Sequence, residues 1–398
     1  MALPKDVPVY NRRDRFDPVP ELAELRARCP VLRTELHAGP SSQVVGWLVT
    51  GIEESREVLS DMERFTTLPP ADTEAQSRRL QNIGNLLHYD PPDHTRLRKM
   101  LNPEFTMRRL RRLQPRIDAV VEECLDTMEE TGSPADLMQH FAWQIPGQTA
   151  CDLLGVPQDD RAELSRQLDI TRDDGRGRAR QMAAGRAFRA YFQQLSVRER
   201  RDPGDDLLGM LVREFGDDIT DEELEGLAAS LTSAGIENVA AMLGLGILVL
   251  LEHPDQLALL LDRPELIDRA VEELLRYVSV IPTLSPRTAL TDVPLGGQVV
   301  PKGERVVCSA FAANRTAAPG GPSKDGFDIT REPAPHMAFG HGVHYCIGAP
   351  LARMQLRSAY LALWRRFPKL RLAVPHEEIR FRMPSSRNYS VDTLPVAW

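Results

Sequence analysis

The sequence predicts a mainly α-helical protein with small β-sheets, and two kinds of pattern support this fold class. Apolar residues recur with helical spacing over 117–154 and 161–195, and a longer apolar segment runs from 220 to 252. Short apolar runs bounded by Pro and Gly, at 44–49 and within 288–308, are typical of strands in minor sheets. We therefore expect helices to form most of the core and the sheets to lie at its margins.

Length and composition exclude several classes of protein. No internal repeat or low-complexity boundary divides the 398 residues, so we expect a single domain spanning 1–398. The formal net charge of -8 argues against non-specific nucleic-acid binding, which normally requires a net basic domain. Residues 1–6 lack an apolar signal region, and no uninterrupted apolar run reaches the length of a membrane span. The five cysteines are scattered and odd in number, unlike a secreted disulfide framework. We expect a cytoplasmic protein that binds neither nucleic acid nor a membrane.

Three segments are predicted to be loops or linkers. Residues 66–85 lose helical periodicity and include Pro69 and Pro70, which indicates a mobile loop. A polar, glycine-containing run at 173–177 separates two helical segments, and 200–204 forms a further linker. Because such loops often carry selectivity, the first is a candidate for contact with a ligand.

A basic pair follows the first loop. The prolines and Asp93 within 88–99 signal a helix start, and His94 and Arg98 then share one helix face. This pair can clamp an acidic cofactor group, although an exposed basic face has the same spacing. Arg96 and Lys99 point elsewhere on the helix and are available to a partner.

The longest predicted helix begins near Thr220, which has capping-box spacing with Glu223, and runs to about residue 252. At 1.5 Å per residue it is roughly 45 to 50 Å long, enough to cross a domain. Its second half, 239–251, is apolar on nearly all sides and must be buried.

An unusual run interrupts this helix at Ala234, Gly235, Ile236, Glu237 and Asn238. An interior glycine costs a helix about 1 kcal/mol relative to alanine, and a buried carboxylate costs more unless it is paired. The run therefore marks either a functional site or a place of tight packing beside a polar patch that reaches solvent.

The following segments combine one amphipathic helix with short strands. Apolar residues over 264–278 follow a helical stripe, and Glu273 and Arg276 are spaced to form an ion pair. Beyond Pro282, the segments 288–290, 298–300 and 305–308 are separated by Pro and Gly turns and are predicted to be strands.

The most informative residue is Cys346, which lies in a Gly-rich loop directly before a helix that ends at Phe367. Gly340, Gly342 and Gly348 allow close backbone approaches, and Pro350 suits a first helical turn. Unpaired N–H groups at this helix start favour a thiolate, the form of cysteine that binds metals.

Two alternatives compete with a metal-ligating role for this cysteine. It is either an inert buried thiol, which is the usual fate of a lone cysteine, or part of a zinc site with His341 and His344. Zinc is the weaker alternative, because structural zinc usually has four ligands and no partner CxxC or HxxxH motif exists elsewhere.

The run from Phe339 to Gly348 resembles the cysteine-ligand loop of cytochrome P450 enzymes, Phe-Gly-x-Gly-x-His-x-Cys-x-Gly, with every fixed position filled. Three further runs resemble motifs of the same family and occur in the family's order: His-x-x-x-Arg at 94–98, Ala-Gly-x-Glu at 234–237 and Glu-x-x-Arg at 273–276. The resemblance covers nearly the whole chain from about residue 88 onward.

This resemblance implies a single P450-type fold, with haem b between the long central helix and the cysteine loop. Cys346 would be the iron ligand, and His94, Arg98 and Arg287 would bind the haem propionates. The cofactor-binding residues that the resemblance implies are His94, Arg98, Ala234, Gly235, Arg287, Phe339, His344, Cys346 and Gly348. The loop at 173–177 would be a lid, and 281–284 and 384–389 would reach the substrate pocket.

The chain departs from the family pattern at two positions. Asn238 stands where a threonine normally supports proton delivery, and its amide has no hydroxyl. The implied catalytic pair is therefore Glu237, which links solvent to the oxygen site, and Asn238, which orders water there. Gly326 stands where an arginine often completes a structural triad with Glu273 and Arg276, so the triad is incomplete or completed otherwise.

Three functions are consistent with the resemblance. The first is a monooxygenase that uses dioxygen to oxidise, most simply hydroxylate, a small organic substrate of secondary metabolism. The second is oxidative coupling, desaturation or rearrangement on the same fold, and the third is a non-catalytic haem sensor. The enzymatic functions need a ferredoxin and a ferredoxin reductase as electron donors. The basic residues expected to face such an acidic partner are Arg96, Lys99, Arg108, Arg109, Arg111 and Arg112.

Overall fold

The central helix, Asp221–Glu252, crosses the protein and contacts most of the other large helices. We describe the chain from a computed structural model, which covers residues 8–39, 42–69, 83–172, 177–316, 325–382 and 388–398. The helix begins as predicted: the Glu223 N–H donates to Thr220 Oγ1 at 3.2 Å, and the Thr220 N–H donates to Glu223 Oε2 at 3.1 Å. This reciprocal cap satisfies N–H groups that have no partner inside the helix.

Helices form most of the described structure, as the sequence predicts. In chain order they are α1 Pro20–Arg28, α2 Ile52–Ser60, α3 Asp93–Leu101, α4 Met107–Leu110, α5 Gln114–Thr131, α6 Gln144–Leu153, α7 Gln158–Arg172, α8 Arg178–Arg201, α9 Leu207–Phe215, α10 Asp221–Glu252, α11 Pro254–Asp262, α12 Ile267–Val278, α13 Ala310–Ala313 and α14 Ala349–Arg366. The prediction of a mainly α-helical protein is confirmed.

The strands are short and form small sheets. In chain order they are β1 Arg13–Asp14, β2 Asp17–Pro18, β3 Val31–Gly39, β4 Ser42–Val49, β5 Phe65–Thr66, β6 Ala135–Asp136, β7 Arg287–Ala289, β8 Val293–Leu295, β9 Gln298–Val300, β10 Arg305–Cys308, β11 Arg371–Leu372, β12 Phe381–Arg382, β13 Ser390–Val391 and β14 Pro395–Ala397. The largest sheet has the order β3-β4-β10-β7-β5. Its pairs are antiparallel except β4 and β10, where Val306 lies beside Trp47 in parallel register.

The main hydrophobic core surrounds the second half of α10, and α10 contacts α6, α12 and α14. Two glycines let neighbouring side chains approach this helix. A Cβ at Gly244 would collide with Met138 Sδ, and a Cβ at Gly246 would collide with the Tyr360 hydroxyl. Although α10 is long and apolar enough to cross a membrane, most of its apolar stretch is buried in the protein, as in the core helix of a globular fold.

Several predicted boundaries shift by a few residues. The segment 264–278 begins with a 3-10 turn, Pro264–Leu266, before α12, and the strand predicted at 288–290 lies at Arg287–Ala289. Of the predicted loops, residues 70–82 and 173–176 lie outside the described part of the chain, as do residues 383–387 of the C-terminal segment.

Candidate active site

The cysteine loop is held against helix α2 by its glycines. Gly340 and Gly342 have φ values of 71° and 72°, a region that residues with a side chain rarely adopt. A Cβ at Gly342 would also collide with the carbonyl oxygen of Leu59. The Cys346 N–H donates to the Phe339 carbonyl at 2.9 Å, which closes the loop three residues before α14 begins.

The Cys346 thiol is accessible to solvent inside an enclosed recess. This enclosure raises the pKa of the thiol, whereas the N–H groups of Gly348 and Ala349 and the charges of Arg98 and Arg353 act to lower it. The expected effect of the helix start is present, since these N–H groups lower the thiol pKa, but desolvation of the thiol outweighs it. A bound metal cation would supply the missing stabilisation of the thiolate.

Four basic side chains gather beside the cysteine loop. The rings of His94 and His344 lie with their centroids 4.3 Å apart. Burial, together with the nearby Arg287, His94 and Arg98, lowers the pKa of His344 to about 3. Burial and Arg98 likewise lower the pKa of His94. The sequence placed these four residues at one site, and the structure brings them into one electrostatic cluster.

This basic cluster has little acidic compensation among the described residues. Asp90 raises the pKa of both histidines, but its carboxylate accepts the Thr67 N–H at 3.0 Å and the Thr67 hydroxyl at 2.7 Å. These bonds and one from Thr66 overcome the effect of burial and lower the pKa of Asp90. The cluster is consequently suited to an anionic ligand.

Several nitrogen atoms in the basic cluster are buried without a hydrogen-bond partner in the described part of the chain. They are both ring nitrogens of His94, Nε2 of His344 and Nε of Arg287. Arg287 is 2% exposed, and its Nη1 donates only to backbone carbonyls, including Ser285 at 3.0 Å. Unpaired buried donors are costly and rare, so this concentration of them is the signature of a ligand site.

The predicted oxygen-side run lies on helix α10. Ala234 is exposed, and a Cβ at Gly235 would meet no atom of the described residues within 4 Å, so the helix faces open space in this part of the structure. Glu237 and Asn238 are half-buried. Asn238 Nδ2 donates to the Ala234 carbonyl at 3.1 Å, so one of the two N–H groups of its amide is already used.

The sequence missed a second contact of Asn238. Asn388 Nδ2 donates to Asn238 Oδ1 at 3.3 Å across a separation of 150 residues. The expectation that the C-terminal segment reaches the pocket was the only sequence signal, and it did not single out this residue.

The structural triad is completed from outside the expected position. Arg276 makes a bidentate pair with Glu273, with both N–O distances 2.7 Å, and both residues are buried. Arg331 Nε reaches Glu273 Oε1 at 3.3 Å, and the Gly326 carbonyl accepts from Arg276 Nη2 at 2.9 Å. Gly326 thus contributes only its carbonyl to Arg276, and Arg331 takes the place of the arginine that was expected at position 326.

A second ion pair joins the cysteine loop region to α12. Arg353 Nη2 donates to Glu272 Oε2 at 2.8 Å, and its guanidinium lies 4.6 Å from the centroid of the Phe339 ring. His336 Nε2 lies 3.1 Å from the same carboxylate. Burial opposes the charge of Glu272, but these partners prevail and lower its pKa to about 2. The pair was not predicted from the sequence.

The zinc alternative gains no support from the geometry. The His344 ring contacts His94. Within the described ranges, no group of three or more His, Cys, Asp or Glu side chains is arranged to hold a metal ion. A single cysteine ligand with an adjacent anion site fits a metal that arrives inside an acidic cofactor.

Comparisons with known proteins agree with this geometry. The family model described as Cytochrome P450 matches residues 259–385. Cytochrome P450 165C4 of Amycolatopsis orientalis is 44% identical over 395 residues, which cover 98% of this chain and 96% of the relative.

Two solved structures extend the similarity to the fold. OxyE, a cytochrome P450 involved in teicoplanin biosynthesis, is 47% identical with a TM-score of 0.91, covering 98% of this chain and 100% of that one. OxyC, a cytochrome P450 implicated in an oxidative C–C coupling reaction during vancomycin biosynthesis, is 42% identical with a TM-score of 0.89, covering 99% and 97%. Similarity in sequence and fold along nearly the entire chain shows that it belongs to the cytochrome P450 family of haem-b monooxygenases, oxidoreductases that use dioxygen, an organic substrate and a redox partner.

Proposed function

We propose that this protein is a haem-thiolate monooxygenase that oxidises, most simply hydroxylates, a small organic intermediate of secondary metabolism. The whole chain, residues 1–398, would act as one cytoplasmic domain. One observation carries the proposal: an accessible cysteine sulfur lies beside a basic cluster whose buried nitrogens have no hydrogen-bond partner in the described structure.

The residues present fit a haem in charge and in hydrogen-bonding capacity. The unpaired nitrogens of His94, His344 and Arg287 suit the two carboxylates that haem carries at one edge, and Arg98 adds a further positive charge. Open space beside Gly235 leaves room on the side of α10. We assign His94, Arg98 and Arg287 to the propionates, with His344 supporting them.

On the sulfur side, Cys346 would bind the iron. A thiolate-ligated haem supplies dioxygen activation and O–O bond cleavage. The N–H groups of Gly348 and Ala349 act on the sulfur and limit how much electron density it donates. The ring of Phe339 lies under the Arg353 guanidinium, which fixes the start of the loop.

On the opposite side, Glu237 and Asn238 would manage protons and water. The half-buried Glu237, one residue before Asn238 on α10, would pass protons from solvent. Asn238 keeps one N–H and one carbonyl lone pair after its two protein hydrogen bonds, which is enough to order a water molecule. Ala234 and Gly235 would leave the space that dioxygen and this water need.

Electrons would come from a ferredoxin and its reductase. Three of the six basic residues predicted for this contact already form ion pairs within the protein. Arg96 pairs with Glu223 and donates to the Asp218 carbonyl, so it fastens α3 to α10. Arg109 and Arg112 both pair with Glu104. The exposed cations left for a partner, with no ion pair among the described residues, are Lys99, Arg108 and Arg111.

Oxidative coupling is a second candidate, favoured by the way Asn238 is held. With no hydroxyl, and with two of its hydrogen-bonding positions already occupied, Asn238 cannot act as the alcohol of a proton relay. Coupling two aromatic rings by removing hydrogen makes water without inserting oxygen into the product. The similarity to OxyC points the same way.

Replacing Asn238 by threonine tests this second candidate. If hydroxylation is the native reaction, Asn238→Thr should raise the fraction of electrons recovered in product, because it restores a hydroxyl. If coupling is native, product yield should fall and hydrogen peroxide should rise. Unchanged turnover, peroxide and product distribution would remove Asn238 from the mechanism. The measurement compares NADH consumed with product and peroxide formed.

Substrate identification tests the proposed function as a whole. Candidate aromatic and macrocyclic metabolites are screened by the spin-state shift of the haem Soret band, and binders are incubated with dioxygen, NADH, ferredoxin and reductase. A product 16 Da heavier indicates hydroxylation, and one 2 Da lighter indicates coupling or desaturation. Ligand binding without oxygen consumption would indicate a sensor and contradict the proposal.

A further inference from the structure

Asn388 makes a long-range contact with the oxygen side of the site. Its side chain is 9% exposed, and its Nδ2 donates to Asn238 Oδ1 at 3.3 Å. Asn238 in turn donates to the Ala234 carbonyl at 3.1 Å. The chain Asn388 to Asn238 to Ala234 therefore links the C-terminal segment to the helix that would face dioxygen.

The residue that follows Asn388 is anchored firmly. The Tyr389 N–H donates to the Val280 carbonyl at 2.7 Å, and its hydroxyl donates to the Arg15 carbonyl at 2.6 Å. The Tyr389 ring is stacked on Phe381 and lies 4.2 Å from the Arg13 guanidinium. Because Tyr389 is 1% exposed, Asn388 is presented to Asn238 from a rigid base.

These contacts distinguish the two ends of the Asn238 amide. A flip of the Asn238 amide would place its Oδ1 against the Ala234 carbonyl oxygen and its Nδ2 against the Asn388 amide nitrogen. Each of these contacts would join two atoms of like partial charge. Without Asn388, the bond to Ala234 alone among the hydrogen bonds of the described residues would oppose other orientations of the side chain. Asn388 thus determines which hydrogen-bonding positions Asn238 keeps for water or a ligand.

We infer that Asn388 is a positioning residue, which orients the Asn238 carboxamide on the oxygen side of the haem. The inference rests on the proposed function, in which Asn238 lies beside the bound cofactor. It adds a residue that belongs to none of the motifs read from the sequence. Since the Tyr389 N–H binds Val280, directly before the predicted pocket segment 281–284, the same connection ties the pocket wall to Asn238.

A double-mutant cycle on the haem-loaded protein tests the inference. The variants are Asn388→Leu, which keeps approximate shape without polar atoms, Asn388→Ala, Asn238→Ala and both combinations with Asn238→Ala. Cyanide affinity of the ferric protein, read from the Soret shift, reports the distal hydrogen bonds without turnover. Peroxide released per NADH is a second readout. Asp206→Ala, which removes a cap on the Gly209 N–H, controls for lost stability.

We expect Asn388→Leu and Asn388→Ala to change the cyanide Kd by about three- to tenfold and to raise peroxide release, since one hydrogen bond is lost. In the Asn238→Ala background the same replacements should change the Kd by less than about 1.5-fold. Equal effects in both backgrounds, or no effect in either, would overturn the inference. Failure of the proposed function would appear differently, as an unaltered protein without a thiolate-type ferrous carbon monoxide band.

Discussion

The surroundings of a single side chain, Arg287, indicate an anionic ligand. Burial lowers the pKa of this arginine, and the part of the chain that the structure describes offers only backbone carbonyls and distant charges in compensation. Its unpaired Nε and its buried positive charge favour an anion at this position. The haem propionate provides that anion in the proposed complex.

Removal of this charge should weaken haem retention. Arg287→Gln deletes a charge-assisted hydrogen bond worth about 1.5 to 3 kcal/mol, so haem should leave roughly ten- to a hundredfold faster. The rate is measured by haem transfer to excess apomyoglobin. Arg382→Gln, which breaks a surface pair with Asp392, is the matched control and should leave the rate unchanged. An equal rate in both variants would remove Arg287 from the propionate site.

Between elements, the cysteine loop is stabilised through α12 and α14. Glu272 on α12 binds Arg353 on α14, and the Arg353 guanidinium covers Phe339 of the loop. Glu273 on the same helix binds Arg276 and Arg331, which fixes α12 to the segment after 325. Two neighbouring carboxylates on α12 therefore hold in place the segment before the cysteine loop and the helix that follows it.

The Glu272 pair predicts a pH-dependent stability. The folded-state pKa of about 2 lies below the ordinary value of 4.5, so the stabilisation is complete above about pH 4.5 and is lost as the pH falls toward 2. Glu272→Gln should cost about 1 to 3 kcal/mol of unfolding free energy at pH 7.

The comparison between two pH values isolates this charge. Denaturant unfolding of the apoprotein is measured at pH 7 and pH 3. The difference in unfolding free energy between Glu272→Gln and the unaltered protein should be smaller at pH 3. Glu377→Gln, in an exposed 3-10 turn, is the control variant and should show little difference at either pH. If the difference in unfolding free energy between Glu272→Gln and the unaltered protein grows on acidification, a stabilising charge on Glu272 is contradicted.

Pairs that are close in sequence were predictable, and pairs that are distant were not. His94 with Arg98, and Glu273 with Arg276, are set by helix periodicity and could be placed before any fold was known. Arg331 is 58 residues from Glu273 in the chain, and Asn388 is 150 residues from Asn238, so only tertiary packing brings them together. The net shift of the Cys346 thiol pKa was not predictable for the same reason, because burial of this thiol depends on elements outside its own loop.

At the scale of the whole molecule, charge on the surface should control reduction. The cations left for an acidic partner are Lys99 on α3, Arg108 on α4 and Arg111 in the 3-10 turn before α5. Ferredoxins approach such surfaces through long-range attraction that salt screens over about 10 Å at 0.1 M ionic strength.

Charge reversal should therefore slow electron transfer. The double variant Arg108→Glu and Arg111→Glu is expected to reduce the second-order rate of reduction by ferredoxin about three- to tenfold at low salt, with convergence at high salt. Arg263→Glu, on the turn after α11, is the control and should keep the original rate. A rate insensitive to both salt and these substitutions would place the partner elsewhere.

Every step of the account depends on Cys346 as the ligand of haem iron. The most direct test is the ferrous carbon monoxide spectrum of the haem-loaded protein. The unaltered chain should show the red-shifted Soret band characteristic of thiolate ligation, and Cys346→Ser and Cys346→His should lose it while retaining bound haem. Persistence of that band in either variant would contradict the assignment of Cys346 to the iron.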